Sequence, residues 1–275
     1  MSSRHPLLSS ASFAVLALWL AQPASASGPA VSGPNGKISA LTGTIDGDFT
    51  LGSTGSFAVP LSGAWGAQVD GLVGTAEGGG YYGIGGHLFT RDPAKGLIGF
   101  YGSYVGWGSA TTVPVDTPEF GVADITGANV GKLGVEGEAY LGRFSLEGLA
   151  AWQFGTNSGL AGKAMVAFYP SDNLRLDLGY NYLQGPGSSI TGGIEWAPNG
   201  NAGLFVSAAA AQSGNTTVIG GIKAYFGGSP TKSLIRRERE DDPENLLPED
   251  LYTTLGSGYC PDGRFLDDDR CDGSG

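Results

Sequence analysis

The sequence predicts an all-β protein, a closed antiparallel up-and-down transmembrane β-barrel of about twelve strands. Segments that alternate apolar and polar residues follow one another from Gly36 to Phe226, and this period of two is typical of strands. An export signal precedes them, and no later segment approaches the roughly 20 apolar residues of a transmembrane helix. The connections alternate between shorter and longer ones, as expected when each end of a barrel faces a different side of a membrane.

The composition also favours a barrel over an ordinary soluble domain. Glycine occurs 49 times, well above its usual share of about 7%, and charged residues form only 15% of the chain, against about 25% in typical domains. With 41% hydrophobic residues, general disorder is excluded. The net charge of −11 and the lack of a basic stripe argue against nucleic acid as a partner.

The N-terminus reads as a targeting segment. A basic start is followed by the apolar run Ala14–Ala21 and then by Ala24 and Ala26 in a small-residue cleavage pattern. The run is too short for a membrane anchor, which is the alternative interpretation. Residues 1–26 are therefore predicted to be a removed signal peptide, and residues 27–35 a short segment before the barrel.

Twelve segments between residues 36 and 228 form the predicted barrel. Most have 9–12 residues, close to the roughly 9–11 that a tilted strand needs to cross a bilayer. The predicted strands are Ile38–Asp46, Gly55–Pro60, Trp65–Thr75, Tyr81–Arg91, Leu97–Trp107, Val130–Leu141, Phe144–Phe154, Leu160–Tyr169, Leu174–Leu183, Ser189–Ala197, Gly203–Gln212 and Thr216–Phe226.

The connections predict the orientation of this barrel. Longer loops are expected at Gly47–Thr54, Gly78–Gly80 and Gly108–Gly127, all at one end. An even number of strands places both termini at the other end, which predicts that both are periplasmic. The short turns at the end that holds the termini are Asp92–Gly96, Gly142-Arg143, Pro170–Asn173 and Pro198–Asn201.

The segment GKLGVEGEAYLGRFSLEGLAAWQFG decides which face of the sheet is which. A two-residue turn at Gly142-Arg143 places Leu133 opposite Trp152 on one face and Glu138 opposite Glu147 on the other. A soluble sandwich, the alternative, would carry more charge on its surface than this chain offers. The apolar face is therefore expected to contact lipid, with two aromatic girdles near the strand ends. The girdle residues are predicted to be Trp65, Trp107, Phe144, Trp152, Phe154, Phe168, Trp196 and Phe226.

The polar face then lines the lumen, where both signs of charge occur. Two directly opposed glutamates are unfavourable unless they are neutralised. Antiparallel register places Ala167 between Glu147 and Arg175, so we expect Arg175 to reach Glu138 and Glu147 across that small residue. The predicted lumen or pore-lining residues are Asp70, His87, Arg91, Lys132, Glu136, Glu138, Glu147, Lys163, Arg175, Asp177, Glu195 and Lys223.

No catalytic constellation accompanies these charges. A Ser–His pair would need His87, the only histidine after the predicted signal peptide, and the chain has no G-x-S-x-G nucleophile elbow. A structural lumen role for His87 is favoured, so no catalytic residues, no metal and no cofactor are expected. The acidic run DDDRCDG lacks the ligand spacing of a calcium loop.

Residues 229–275 differ from the barrel in composition. From Gly227 onwards the chain holds 12 acidic and 6 basic residues. This composition predicts an acidic, mostly disordered periplasmic tail, or a short helix around Lys232–Glu240. Cys260 and Cys271 are an even pair in an exported chain and predict a disulfide.

The chain resembles porin-like outer-membrane β-barrel proteins of Gram-negative bacteria, in particular uncharacterised alphaproteobacterial members. The resemblance rests on GSFAVPL, WGAQVDGLVG, GGHLFTRDPAKGLIGFYGSY, EAYLGRFSLEGLA, YPSDNLRLDLGY, KAYFGG and KSLIRREREDDP, and covers most of Asn35–Pro243. It implies localisation in the outer membrane, contact with its lipid and assembly by the barrel assembly machinery. It implies no defined substrate. The barrel-ending Phe226 is internal here, which departs from the usual assembly signal.

Two functions from different classes remain open at this point. One is a narrow passive pore for small hydrophilic solutes. The other is a plugged structural or interaction barrel without transport activity, which uses its tail to contact periplasmic partners or the cell wall. A soluble periplasmic β protein is a third reading.

Overall fold

A computed structural model describes residues 28–76, 79–112, 123–155, 158–184, 187–227 and 232–255. Within these ranges the strands form one closed antiparallel barrel, in which each strand pairs with its neighbours in sequence and β12 closes on β1. This confirms the predicted fold class. The predicted signal peptide and both cysteines lie outside the described residues.

The twelve strands follow the predicted order. Most boundaries agree within a few residues, because the alternating pattern that marks each strand is local to it. The strands are β1 (Asn35–Ile45), β2 (Asp48–Ser62), β3 (Trp65–Ala76), β4 (Gly79–Asp92), β5 (Gly96–Thr112), β6 (Ala123–Leu141), β7 (Phe144–Gly155), β8 (Gly159–Ser171), β9 (Leu174–Leu183), β10 (Gly187–Trp196), β11 (Ala202–Ala211) and β12 (Thr216–Gly227).

The three predicted longer loops are all wrong in part. In the predicted loop Gly78–Gly80, Gly79 and Gly80 belong to β4 and pair with Ala76 and Thr75 of β3. Gly47–Thr54 is mostly strand, because β2 begins at Asp48 and pairs with β1 on one side and β3 on the other. Likewise, β5 and β6 pair up to Thr112 and Ala123, so only residues 113–122, which are not described, separate them. Ladder hydrogen bonds to both neighbours outweigh the low strand propensity of the polar and glycine residues there.

The hairpin of β6 and β7 has the predicted register. Leu133 pairs with Trp152 and Glu138 with Glu147. Gly142 in the two-residue turn has a φ of +61°, the left-handed conformation that such turns need and that glycine adopts without steric cost.

The outer surface of the barrel is apolar. Large side chains such as Val73, Leu133 and Leu178 are 61–64% exposed, on strands far apart around the barrel. Such a surface would be unstable in water but fits a barrel in a lipid bilayer. Most of the predicted girdle aromatics face outward, but Trp107 is wrong: its side chain is buried inside the barrel and stacks on Tyr81 with ring centroids 5.7 Å apart.

The chain continues from the barrel into two helices, α1 (Leu234–Glu240) and α2 (Leu247–Leu255). The expectation of a mostly disordered periplasmic tail is wrong for residues 232–251, because these residues pack inside the barrel. The alternative of a short helix around Lys232–Glu240 is confirmed by α1. Neither helix is long and apolar enough to span a membrane; this holds for the described residues.

Candidate functional site: a lumen occupied by the C-terminal segment

Residues 232–255 form a segment inside the barrel that we call the plug. We call the end where β1 begins and β12 ends the terminal opening, and the other end the opposite opening. The plug begins at the terminal opening, where the Leu234 backbone N–H donates to Asn173 Oδ1 at 3.1 Å and the Ile235 N–H to the Asp172 carbonyl at 3.0 Å. These bonds satisfy N–H groups that the first turn of a helix leaves free. The β8–β9 turn thus fixes the start of α1.

The segment before β1 helps to close the same opening. The Ser32 backbone N–H donates to the Glu240 carbonyl at 2.8 Å, and its hydroxyl donates to Asp241 at 2.6 Å. Ala30 and Val31 are fully buried in an apolar cluster with residues of β2, β4 and β5. The N-terminal segment and α1 therefore cover the terminal opening together.

The middle of the plug is bound to the wall by ion pairs. Lys37 Nζ lies 2.6 Å from Asp242 Oδ2 and also donates to the Pro243 carbonyl at 3.0 Å. Lys163 Nζ lies 3.0 Å from Glu244 Oε2 and 2.7 Å from Glu249 Oε2. Lysines on opposite parts of the wall thus hold one acidic segment between them.

Helix α2 lies deeper in the barrel, toward the opposite opening. Its start is fixed by Asn245, whose side-chain oxygen accepts from the Leu247 N–H at 3.1 Å, as in an N-cap. Leu247 and Leu251 are buried in a cluster with inward-facing side chains of that half of the barrel, including Ile45 and Trp107. The apolar contacts set the depth of the plug.

Asp250 joins α2 to two strands of the wall. Its Oδ2 accepts hydrogen bonds of 2.6 Å from the hydroxyls of Tyr101 and Ser103, and its Oδ1 lies 2.7 Å from Lys132 Nζ. Ser103 and Lys132 face each other across β5 and β6, so one carboxylate bridges a cross-strand pair. A charged acceptor with three donors is strongly held.

The wall also contains a carboxylate–histidine–carboxylate group. His87 Nε2 lies 2.8 Å from Asp70 Oδ2, and His87 Nδ1 lies 2.8 Å from Glu136 Oε2. The imidazole packs on Tyr101 with ring centroids 4.8 Å apart. Both ring nitrogens are thus within hydrogen-bond distance of a carboxylate.

The predicted cluster of Glu138, Glu147 and Arg175 forms only in part. Arg175 Nη2 lies 3.1 Å from Glu147 Oε1, whereas Glu138 accepts a 2.6 Å hydrogen bond from the Tyr140 hydroxyl. Arg175 also pairs with Glu238 of the plug at 3.2 Å. The arginine therefore connects the wall to the plug instead of joining the two opposed glutamates.

The register used for that cluster is wrong. Glu147 pairs with Met165, not with Ala167, and Ala167 pairs with Asp177 on β9. A register irregularity lies between Phe168 and Ser171, where β8 turns into β9. Both observed pairings differ from the predicted ones by two residues, and alternation does not reveal such a shift because it keeps every side chain on the same face.

All twelve predicted lumen residues lie on the inner side of the barrel. Arg91 differs from the others in its partners: its Nη1 donates to the Ala30 carbonyl at 3.4 Å, and its guanidinium lies 4.9 Å from the centroid of Phe89. Glu195 is bonded to Lys223 and Tyr225. Asp177 Oδ2 lies 3.5 Å from Arg175 Nε. The other members take part in the contacts given above.

The carboxylates of the plug differ in their electrostatics. Burial disfavours the charge of Glu244, but Lys163 and Arg175 outweigh it and hold the pKa of this carboxyl well below its ordinary value. Burial raises the pKa of Glu249 and of Glu238 above their ordinary values, and the nearby cations offset only part of that effect.

The plug does not fill the lumen. A solvent-open cavity of about 130 Å³ remains between the plug and the wall formed by β8 to β12, β1 and β2. Its lining combines apolar side chains with polar ones such as Thr191, Ser207 and Lys223. The buried Thr191 hydroxyl has no hydrogen-bond partner within the described residues, which fits a hydrated space.

Sequence reasoning missed every site residue on the plug, and also Tyr101 and Ser103. The acidic excess of the tail was the signal that could have predicted the plug, because the basic residues of the lumen wall need carboxylates as partners. Within the described residues no group of three His, Cys, Asp or Glu side chains could hold a metal ion.

No family model and no curated protein sequence matches this chain. It is similar to the KdgM porin, solved in complex with disordered oligogalacturonate, with a TM-score of 0.49, 12% identity and coverage of 70% of this chain and 99% of the porin. It is also similar to Omp33 of Acinetobacter baumannii, with a TM-score of 0.46, 12% identity and coverage of 70% of this chain and 98% of Omp33. Outer membrane phospholipase A from Escherichia coli matches with a TM-score of 0.45, 12% identity and coverage of 70% of this chain and 96% of the phospholipase. Porins and an enzyme occur together at this level of similarity, so it does not distinguish functions.

Proposed function

We propose that this protein is an outer-membrane barrel with a narrow pore for small hydrophilic solutes, and that its own C-terminal plug closes the pore at rest. The apolar outer surface supports the membrane location, and the charged lumen supports a polar path. The terminal opening would then face the periplasm, because the longest connection, between Thr112 and Ala123, belongs to the opposite opening and barrels of this kind have short periplasmic turns.

The attachment of the plug carries this proposal. Its middle part is bound mainly through ion pairs and hydrogen bonds with Lys37, Lys132 and Lys163, beside a cavity that remains open to solvent. A permanent core would be packed with apolar side chains at the density of a protein interior. A plug that is bound by charged pairs beside a solvent-open cavity is instead suited to a lumen that opens.

A plugged structural barrel is the second candidate. It is favoured by the complete burial of Leu234 and Leu247, which anchor the plug at two levels. In that case the plug would never leave the lumen, and the barrel would act in membrane structure or in contacts with other proteins.

Two measurements separate these functions. Separation of outer and inner membranes should recover the protein with the outer membrane, and recovery in the soluble periplasmic fraction would refute the barrel in lipid. In planar bilayers the wild-type protein should give rare, small openings. A variant with a weakened plug should open often, and complete silence of a folded variant would favour the structural barrel.

A further inference from the structure

We propose that Lys37, Lys132, Lys163 and Arg175 form a binding track for acidic solutes along the lumen wall, which the plug occupies in the closed barrel. This inference rests on the proposed pore function and names the class of solute for it. The evidence for it is that the wall contributes the cations and the plug contributes the carboxylates of these ion pairs.

Two of the four basic residues mark the ends of the track. Lys37, near the start of β1, pairs with Asp242 at 2.6 Å, and Lys132, in the middle of β6, pairs with Asp250 at 2.7 Å. All four side chains involved are less than a tenth exposed. The plug thus presents Asp242 and Asp250 at different levels of the lumen, and the wall provides a cation for both.

The centre of the track binds one carboxylate with two cations. Glu244 Oε2 lies 3.0 Å from Lys163 Nζ and 3.7 Å from Arg175 Nη2. An ammonium and a guanidinium that converge on one oxygen form a site for a carboxylate from any source. Here the source is the chain itself.

The wall carboxylates, by contrast, have partners on the wall. Asp70 and Glu136 pair with His87, and Glu195 pairs with Lys223. These acidic groups keep their partners whether or not the plug is present. These three carboxylates therefore do not compete for the cations of the track. Arg175 is the exception among those cations, because it also pairs with Glu147 and Asp177 of the wall, at 3.1 and 3.5 Å.

Lys37 and Lys163 have the opposite arrangement. Within the described part of the chain, every ion pair of these two lysines is with the plug. When the plug leaves, the two ammonium groups lose these carboxylates and face the lumen, where an acidic solute can take the place of the plug. The open lumen is thus prepared for an acidic solute.

The predicted ligands carry at least two carboxylates, because the cations lie at several levels. The test is isothermal titration of the purified full-length protein with citrate, a small polycarboxylate, and with hexaglutamate, a short acidic chain. The variant Asp242→Asn/Glu244→Gln/Glu249→Gln removes the competing charges. We expect it to bind at least one of the two probes at least tenfold more tightly than wild type does.

The matched control is Glu240→Gln, because Glu240 forms its ion pairs with Arg236 and Lys232 of the plug itself. This variant should bind the probes as weakly as wild type. Adding Lys163→Gln to the triple variant should weaken binding at least tenfold. Preference for citrate would indicate a small solute, and preference for hexaglutamate a chain-like one; both support the track.

Absence of binding to the folded triple variant, or binding that Lys163→Gln leaves unchanged, would overturn the track. If the triple variant does not fold, Asp242→Asn alone frees Lys37, and Lys37→Gln in that background should abolish the gain. Bilayer recordings test the pore separately: probe binding without any conductance would reject the pore function and keep the track.

Discussion

Leu247 is the residue at which the closure of the lumen is best tested. Its side chain is 0% exposed, and its Cδ2 atom packs against β4 at Gly83 and Gly85, where an added Cβ would lie only 3.3–3.4 Å away. The absence of side chains at these glycines makes room for the leucine. Leu247→Ala removes this contact and leaves the barrel wall unchanged.

The expected size of the effect follows from burial. A fully buried leucine replaced by alanine loses about 2–5 kcal/mol. Because an undocked plug exposes residue 247 to water, this loss falls on the docking equilibrium and not on the barrel. At about 3 kcal/mol, the ratio of undocked to docked plug rises roughly 100-fold, since 1.4 kcal/mol is a factor of ten.

Single-channel recording in planar bilayers measures this ratio as the fraction of time spent open. The control is Leu178→Ala, which makes the same change at a side chain that is 64% exposed on the outer face. Limited proteolysis of the plug gives a second readout. If Leu247→Ala is as silent and as protease-resistant as wild type while its barrel remains folded, the plug does not govern the lumen.

Three further outcomes are expected. Arg175→Ala should lower the midpoint of thermal unfolding, because it leaves carboxylates of both the wall and the plug without their cation. Breaking a buried pair in this way lowers the free energy of unfolding by about 3–5 kcal/mol. An unchanged midpoint would contradict this. His87→Gln should also lower that midpoint, since two buried carboxylates then face each other without the imidazole between them; a midpoint equal to wild type would rule out that role. Docking of the plug, measured by proteolysis, should have an optimum in pH. It should strengthen as the pH falls toward 4.5, the ordinary pKa of glutamate, because docking raises the pKa of Glu238 and Glu249 and so favours their protonation. Below pH 4.5 docking should weaken, because docking lowers the pKa of Glu244 and protonation of this group opposes it. Glu244→Gln should remove the acid limb, and its persistence in that variant would refute the assignment.

The barrel was predictable because its determinants are local. Alternation over ten residues fixes which side chains share a face, and a two-residue turn such as Gly142-Arg143 fixes the register of its hairpin. The inner position of charged residues follows from the same parity. Errors arose where the same local pattern is compatible with a loop and with a strand. At Asp48–Thr54, pairing with β1 and β3 makes a polar segment part of a strand.

The plug was not predictable from composition, because composition does not reveal partners distant in sequence. Asp242 and Lys37 are 205 positions apart, and Asp250 meets Lys132 across the barrel. An acidic segment read alone is typical of disorder. Its folding depends on a closed wall that presents cations at matching levels, which is a property of the assembled barrel.

The two kinds of contact on the plug also imply how it is released. Leu247 and Leu251 fix its depth without specificity of charge, whereas Asp242, Glu244 and Asp250 each need a particular cation. Salt screens buried pairs much less than exposed ones, so raising the ionic strength should leave the lumen closed. Protonation below the docking optimum, or carboxylates that compete for the same lysines, act directly on the pairs. Release of the plug should therefore respond to acid and to polycarboxylates at constant ionic strength, and channels that open with sodium chloride alone would show that the pairs are accessible to water.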